Sequence, residues 1–140
     1  MLKNLIANFY ELWGATFLGE FSDQMFSNNL YMSIAMSSVI VAFVITILYY
    51  YVIDRPGTAK LGVWFIALLL GAIASVLIAF VSANNGLTDV YASIGADIPP
   101  GFSSDMFLFS LVNAMWVVLL MIFLSFIFKW KSTNSSYIPF

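Results

Sequence analysis

Three long stretches of the chain carry no charged residue and consist mainly of large apolar side chains. They run from Ile34 to Ile53, from Leu61 to Ala83 and from Met106 to Phe128. A helix needs roughly 20 apolar residues to cross a hydrocarbon core about 30 Å thick, and each stretch meets that length. Inside lipid the backbone must satisfy its own hydrogen bonds, so these runs are predicted to be helices. The pattern predicts an all-α integral membrane protein, a single membrane domain over 1–140, with transmembrane helices at about 30–53, 61–83 and 106–130.

The first stretch of the chain, about residues 2–18, has a different periodicity. Placed on a helix, Asn4, Asn8 and Glu11 gather on one narrow face, and large apolar residues cover the opposite face. This pattern is typical of an amphipathic helix lying in the membrane interface, which is our prediction for 2–18. The alternative is a fourth crossing, which would carry Glu11 into lipid at a cost of about 2–3 kcal/mol.

The segments between the apolar stretches differ in charge and in turn residues. Arg55 and Lys60 follow the first stretch, and Lys129 and Lys131 follow the third, whereas 84–105 contains no cation. The positive-inside rule therefore predicts a cytoplasmic C-terminus and an N-terminus outside.

Two turn signals shape these connections. Pro56-Gly57 predicts a tight turn that makes the first two spans an antiparallel hairpin. Pro99-Pro100-Gly101 predicts a break inside an outer loop over 84–105, and Ser103, Ser104 and Asp105 are predicted N-caps for the third span.

Composition excludes several function classes. Apolar residues make up 62% of the chain and charged residues 9%, against about 45–50% and about 25% in soluble domains. The chain has no cysteine and no histidine, so disulfides, thiolate nucleophiles and haem ligation by either residue are excluded. No basic patch is present, so we expect no nucleic-acid partner. We expect no cofactor and no metal ion.

Small residues recur one helical turn apart in the first two spans. Hydrophobicity does not pull helices together in lipid, but rows of small side chains allow close backbone approach. If the hairpin turns near Gly57, the two rows match in depth, which predicts tight packing between the first two spans. The predicted packing residues are Ser38, Ala42, Thr46, Ala67, Gly71, Ser75 and Ala79.

The third span carries polar side chains that need partners. Asn113 is an amide at bilayer depth, and Trp116 has an N–H that requires an acceptor. A helix-to-helix hydrogen bond is one interpretation of Asn113, and a pore-lining or ligand-binding role is the other. The residues of this candidate interface or pore are Ser110, Asn113, Ala114, Trp116 and Ser125.

Nothing in the three spans offers catalytic chemistry. The spans contain no ionisable Asp, Glu, Lys or Arg, and membrane enzymes and ion-coupled transporters depend on such residues at depth. Asp89, Asp97 and Asp105 are eight residues apart and match no calcium-loop spacing, so we interpret them as a solvated acidic face. We expect a non-enzyme.

The C-terminal tail has a polar first half and an apolar tip formed by Tyr137, Ile138, Pro139 and Phe140. We predict that this tip docks onto another subunit or a neighbouring copy. The alternative is that it folds back on its own helices or lies on the membrane surface.

The functional hypothesis combines these points. We expect a small subunit in the lipid bilayer of a bacterial inner membrane that anchors or scaffolds a larger assembly, of secretion, motility or respiratory type. Its partners would be other subunits of that complex or copies of itself. The alternative is a homo-oligomeric pore or holin-like channel lined by the third span.

Overall fold

The computed structural model describes residues 1–53 and 60–130, and this part of the chain contains helices and no strand. The helices are α1 (Leu2–Tyr10), α2 (Glu20–Ser27), α3 (Leu30–Leu48), α4 (Leu61–Ser93) and α5 (Phe102–Lys129). A π-helical turn, Tyr49–Ile53, continues α3. The predicted turn at Pro56-Gly57 and the predicted docking tip, Tyr137, Ile138, Pro139 and Phe140, lie outside the described residues.

Three helices are long and apolar enough to cross a membrane, which confirms the predicted class. They comprise 24 residues from Leu30 to Ile53, 33 residues from Leu61 to Ser93 and 28 residues from Phe102 to Lys129. All three contact one another, and α4 packs most extensively on α5. The chain is therefore a three-helix membrane bundle to which two short N-terminal helices are added.

The N-terminal helix exists but is shorter than the sequence predicts. It ends at Tyr10, and Leu12 and Trp13 adopt left-handed backbone angles (φ 47° and 55°) within a 3-10 turn, Leu12–Gly14. Non-glycine residues rarely adopt such angles. The Thr16 hydroxyl donates a 2.9 Å hydrogen bond to the Tyr10 carbonyl, which would otherwise lack a partner at the helix end. The helix stops because the chain must reverse to bury Phe21, whose side chain is fully enclosed.

Helix α2 was not predicted. It follows Gly19, whose positive φ of 61° suits a residue without a Cβ. The helix buries Phe21, Ser22 and Met25, and the ring of Phe21 packs edge-on against Phe102 at 5.6 Å between centroids. Its apolar stripe therefore covers one end of the bundle.

Helix α4 extends ten residues beyond the predicted end at Ala83. The added turns bury Leu87 and Tyr91, which continue from Ala83 at a spacing of four residues, because α2 and α5 cover that face. The predicted outer loop over 84–105 is wrong in extent, since only residues 94–101 are outside helices. The predicted N-caps Ser103, Ser104 and Asp105 are also wrong, because α5 begins at Phe102 with Gly101 as N-cap and no side-chain cap.

Two apolar clusters fill the bundle, with a polar layer between them. The Phe102-end cluster includes Ile34, Ala79, Phe102 and Phe109. The Trp64-end cluster includes Ala42, Trp64, Val117 and Met121. Between these clusters lie four fully or nearly fully buried polar residues, here named the polar layer: Ser38, Ser75, Ser110 and Asn113.

Candidate functional site

Asn113 is the centre of the polar layer. Its Oδ1 accepts hydrogen bonds from the Tyr10 hydroxyl at 2.8 Å and from the Ser38 hydroxyl at 2.9 Å. Its Nδ2 donates to the backbone carbonyl of Ser75 at 3.2 Å. An amide side chain has two donors and two acceptor positions, so these three bonds use most of its capacity. One side chain thus connects α1, α3 and α4 to α5.

The serine hydroxyls of the interior bond mostly to their own helices. Ser110 donates to the Met106 carbonyl at 2.7 Å, and Ser75 donates to the Ala72 carbonyl at 2.8 Å. At the Trp64 end, Trp64 Nε1 donates to Ser125 Oγ at 3.2 Å, which joins α4 to α5. Buried polar groups in lipid must find partners of this kind within the protein. These hydroxyls therefore serve packing.

Helix α1 is docked on the bundle by its last turn. Trp116 Nε1 donates to the Phe9 carbonyl at 2.9 Å, and the Phe9 and Trp116 rings meet edge to face at 5.1 Å. The Tyr10 ring stacks on Tyr31 at 5.4 Å. Burial raises the pKa of the Tyr10 hydroxyl above its usual value, so the group stays a neutral donor to Asn113. The N–H of Trp116 has the acceptor that the sequence required, and α1 supplies it.

Glu11 lies next to Tyr10 on the edge of the bundle. The Tyr31 hydroxyl donates to Glu11 Oε1 at 3.2 Å. Burial raises the pKa of the Glu11 carboxyl, the hydrogen bond from Tyr31 lowers it, and the nearby charge of Asp23 raises it further; the net direction is upward. Glu11 is half-buried. Helix α1 has nine residues and is not among the three helices long enough to cross a membrane, so the alternative of a fourth crossing is not supported.

All seven residues of the two small-residue rows are buried: Ser38, Ala42, Thr46, Ala67, Gly71, Ser75 and Ala79. The row on α4 lies against two helices. A Cβ on Gly71 would collide with the Met121 side chain of α5, and it would touch Ile45 of α3 at 3.7 Å. The row on α4 therefore faces the groove between α3 and α5. The sequence predicted packing against the first span alone. The match in depth between the two rows stays a prediction.

The candidate interface or pore residues of the third span lie mostly inside the chain's own bundle. Ser110, Asn113, Ala114 and Ser125 are buried, and Trp116 is half-buried beneath α1. Asn113 makes the helix-to-helix hydrogen bonds of the simpler interpretation. Tyr10 is a partner that the sequence did not predict. The available signal was a tyrosine on an otherwise apolar helix face, together with an amide at bilayer depth that needed a donor.

A cleft lies between part of α1 and the spanning helices α3 and α5, next to the polar layer. It has a volume of about 330 Å³ and is open on one side. We name it the α1 cleft and define it by six of its apolar lining residues: Ile6, Phe9, Ala35, Val39, Trp116 and Leu120. Tyr10, Ser38 and Asn113 also line the cleft, and their polar atoms bond to one another.

Within residues 1–53 and 60–130, no group of three or more acidic, histidine or cysteine residues is arranged to hold a metal ion. Asp89 and Asp97 are exposed and Asp105 is half-exposed. No protein family, curated protein or solved structure matches this chain. The site is consequently interpreted from its own geometry: a polar layer that joins four helices and an apolar cleft beside it.

Proposed function

We propose that this chain is a non-catalytic integral membrane subunit that anchors or scaffolds a larger membrane assembly. The observation that carries the proposal is the use of Asn113. Its amide bonds to Tyr10, Ser38 and Ser75 within the chain, so the most polar interior group supports packing. In the described residues, the interior polar groups are used for packing within the chain. Such a membrane protein can act as an anchor or a scaffold for its partners.

The outward faces of the spanning helices support the same proposal. Large apolar side chains are well exposed on each helix, for example Ile40 on α3, Leu69 on α4 and Phe123 on α5. Such faces suit both lipid and the apolar helices of a partner subunit. The partners we propose are other subunits of the complex or further copies of this chain, in a secretion, motility or respiratory type of machine.

A pore lined by the third span is not proposed as the function. That hypothesis needs Ser110, Asn113 and Ser125 to face water between copies. Their side chains are at most 2% exposed within a single chain, and each has a hydrogen-bond partner there. Lining a channel would require the bundle to open and lose these bonds.

The scaffold proposal is tested by extracting the native protein in a mild detergent and measuring the mass of the particle. Photo-crosslinking residues placed at Ile40, Leu69 and Phe123 in separate variants report which face has a neighbour. We expect a particle that contains other proteins, and a discrete crosslinked band from one face. A particle that contains only this chain, with no protein crosslink from any face, would contradict the proposal.

We further propose a bacterial inner membrane location with the N-terminus outside and the C-terminus in the cytoplasm. The support for the orientation is the distribution of cations. Lys60 lies between the first two spans and Lys129 and Lys131 follow the third, whereas residues 84–105 contain no cation. The chain has no native cysteine, so single substitutions are specific labels. In intact cells a membrane-impermeant maleimide should label Asp97→Cys and spare Lys131→Cys. The reverse labelling would overturn the orientation.

A further inference from the structure

The α1 cleft lies at the depth of the hydrocarbon core. Its α5 wall runs from Asn113 to Leu120, which is the middle of a helix that extends from Phe102 to Lys129. Its α3 wall, Ala35 to Val39, belongs to the first membrane-spanning helix. At this depth the surrounding solvent is lipid acyl chain and not water. The position therefore restricts what can fill the cleft.

The open side of the cleft faces outward. Val39 is 40% exposed and Phe9 is 36% exposed, and both line the cleft. The neighbouring residues on the spanning helices, Ile40 and Leu119, are also exposed large apolar side chains. An occupant consequently enters sideways from the bilayer, between α1 and the groove that α3 and α5 form.

We propose that the α1 cleft binds one acyl chain of a membrane phospholipid. If this open groove of about 330 Å³ were left unfilled, its apolar walls would lack dispersion contacts on that side. Water is a poor occupant, because an ordered water needs two to four polar partners, and Tyr10, Ser38 and Asn113 already bond to one another. A flexible hydrocarbon tail satisfies the apolar walls and is the molecule present at that depth.

Helix α1 distinguishes this site from the ordinary lipid-facing surface. The Tyr10–Asn113 and Trp116–Phe9 hydrogen bonds hold α1 against the bundle, so a tail in the cleft is enclosed between three helices. Lipid on the open faces of α4 contacts one helix surface only. A tail in the cleft should therefore exchange more slowly than the lipid around it.

The first experiment uses the full chain in phosphatidylcholine vesicles that contain a phospholipid with a diazirine in the middle of one acyl chain. After illumination, the modified residues are mapped by mass spectrometry. We expect labelling of Val39 and Leu120 to exceed that of Leu69 and Leu77 on α4 by about ten-fold, although Leu69 and Leu77 are each 60% exposed. Labelling in proportion to exposure would overturn the proposal, since it would indicate surrounding lipid only.

The second experiment fills the cleft. Ala35→Phe places a ring in the space from within, and Val39→Trp fills it from the exposed side. Ala74→Phe on α4 is the matched control, because Ala74 is also half-buried but does not line the cleft. We expect the enriched labelling of Leu120 to be lost in both filling variants and kept in the control. If Ala35→Phe does not fold, as judged by circular dichroism, Val39→Trp decides the result.

The same probes separate a lipid from a protein occupant. A photo-crosslinking amino acid at Val39 in native membranes should yield a lipid adduct. A crosslink from Val39 to another protein or to a second copy of this chain would overturn the acyl-chain assignment. Enriched labelling that persists in a folded Val39→Trp variant would overturn it too. These outcomes do not depend on the scaffold proposal, which the particle mass tests separately.

Discussion

The hydroxyl of Tyr10 donates a 2.8 Å hydrogen bond to Oδ1 of Asn113, which is 103 residues further along the chain. The bond links a short helix that does not span the membrane to the central polar residue of one that does. Tyr10 itself belongs to the Phe102-end cluster of the bundle. Because Asn113 also bonds to Ser38 and Ser75, this contact makes α1 part of the bundle's interior.

Replacing Asn113 by leucine should lower the free energy of unfolding by about 1–3 kcal/mol. Leucine has a similar size but leaves the Tyr10 and Ser38 hydroxyls and the Ser75 carbonyl without this partner. The measurement is reversible denaturation in mixed detergent micelles. Asn85→Leu on the exposed side of α4 is the control and should change stability by less than about 0.5 kcal/mol. Equal effects of the two substitutions would contradict the role assigned to Asn113.

Tyr10→Phe should have a smaller effect, about 0.6–1.5 kcal/mol, because Asn113 keeps its bond from Ser38. The loss should be concentrated in α1, whose amide hydrogens we expect to exchange faster with solvent. Tyr51→Phe, at an exposed tyrosine, is the matched control. In a double-mutant cycle, Tyr10→Phe should cost little in an Asn113→Leu background, since its acceptor is already absent. Additive effects would show that the two residues act independently.

Gly71→Leu should destabilise the bundle by about 1–3 kcal/mol through overpacking. Even a Cβ at this position collides with Met121, and Ile45 lies behind it. Gly62→Leu is the control on the same helix, because nothing lies within 4 Å of a Cβ there. That substitution should leave stability unchanged or raise it by up to about 0.8 kcal/mol through helix propensity. Thermal unfolding of both variants in one detergent tests the comparison.

Stability should rise on mild acidification, and Glu11 should be responsible. The pKa of Glu11 is raised in the folded chain, mainly by burial, so the folded state binds a proton more readily than the unfolded state. The free energy of unfolding therefore increases as pH falls through the raised pKa towards the ordinary value of 4.5, and the gain is lost as pH rises again.

Glu11→Gln tests this pH dependence, because the amide does not titrate. We expect the variant to lose the rise in stability between neutral pH and about 4.5. Asp89→Asn, at an exposed residue, is the control and should retain the rise. A Glu11→Gln variant with an unchanged pH profile would assign the effect to another group.

The apolar tip of the tail stays a prediction, since it lies outside the described residues. Replacing Tyr137, Ile138 and Phe140 by alanine should weaken the association with copurifying subunits by about ten-fold, because three apolar contacts are removed. Replacing Ser132, Thr133 and Ser135 by alanine is the matched control and should leave association unchanged. The ratio of partner to chain after mild-detergent purification measures both, and unchanged association in the first variant would contradict docking.

The sequence was sufficient for features that depend on the bilayer. Charge-free stretches of spanning length must become helices, because lipid offers no partner for the backbone. The same reasoning required partners for Asn113 and Trp116, and both have them. The small residues at four-residue spacing, such as Gly71, also lie on buried faces. These conclusions need only the composition of a segment and the helical repeat.

Only the tertiary structure decided where the N-terminal region goes and which groups pair. Periodicity extended the first helix to residue 18, but burial of Tyr10 and Phe21 in one bundle requires the chain to turn between them. Helix α4 likewise continues past Ala83, although the added turns contain several polar residues, because α2 packs against them. The hydrophobic pattern indicates which residues of a segment can be buried. Packing geometry decides which residues become partners, such as Tyr10 and Asn113, which are 103 residues apart. A single sequence contains the first kind of information locally and the second only through the whole fold.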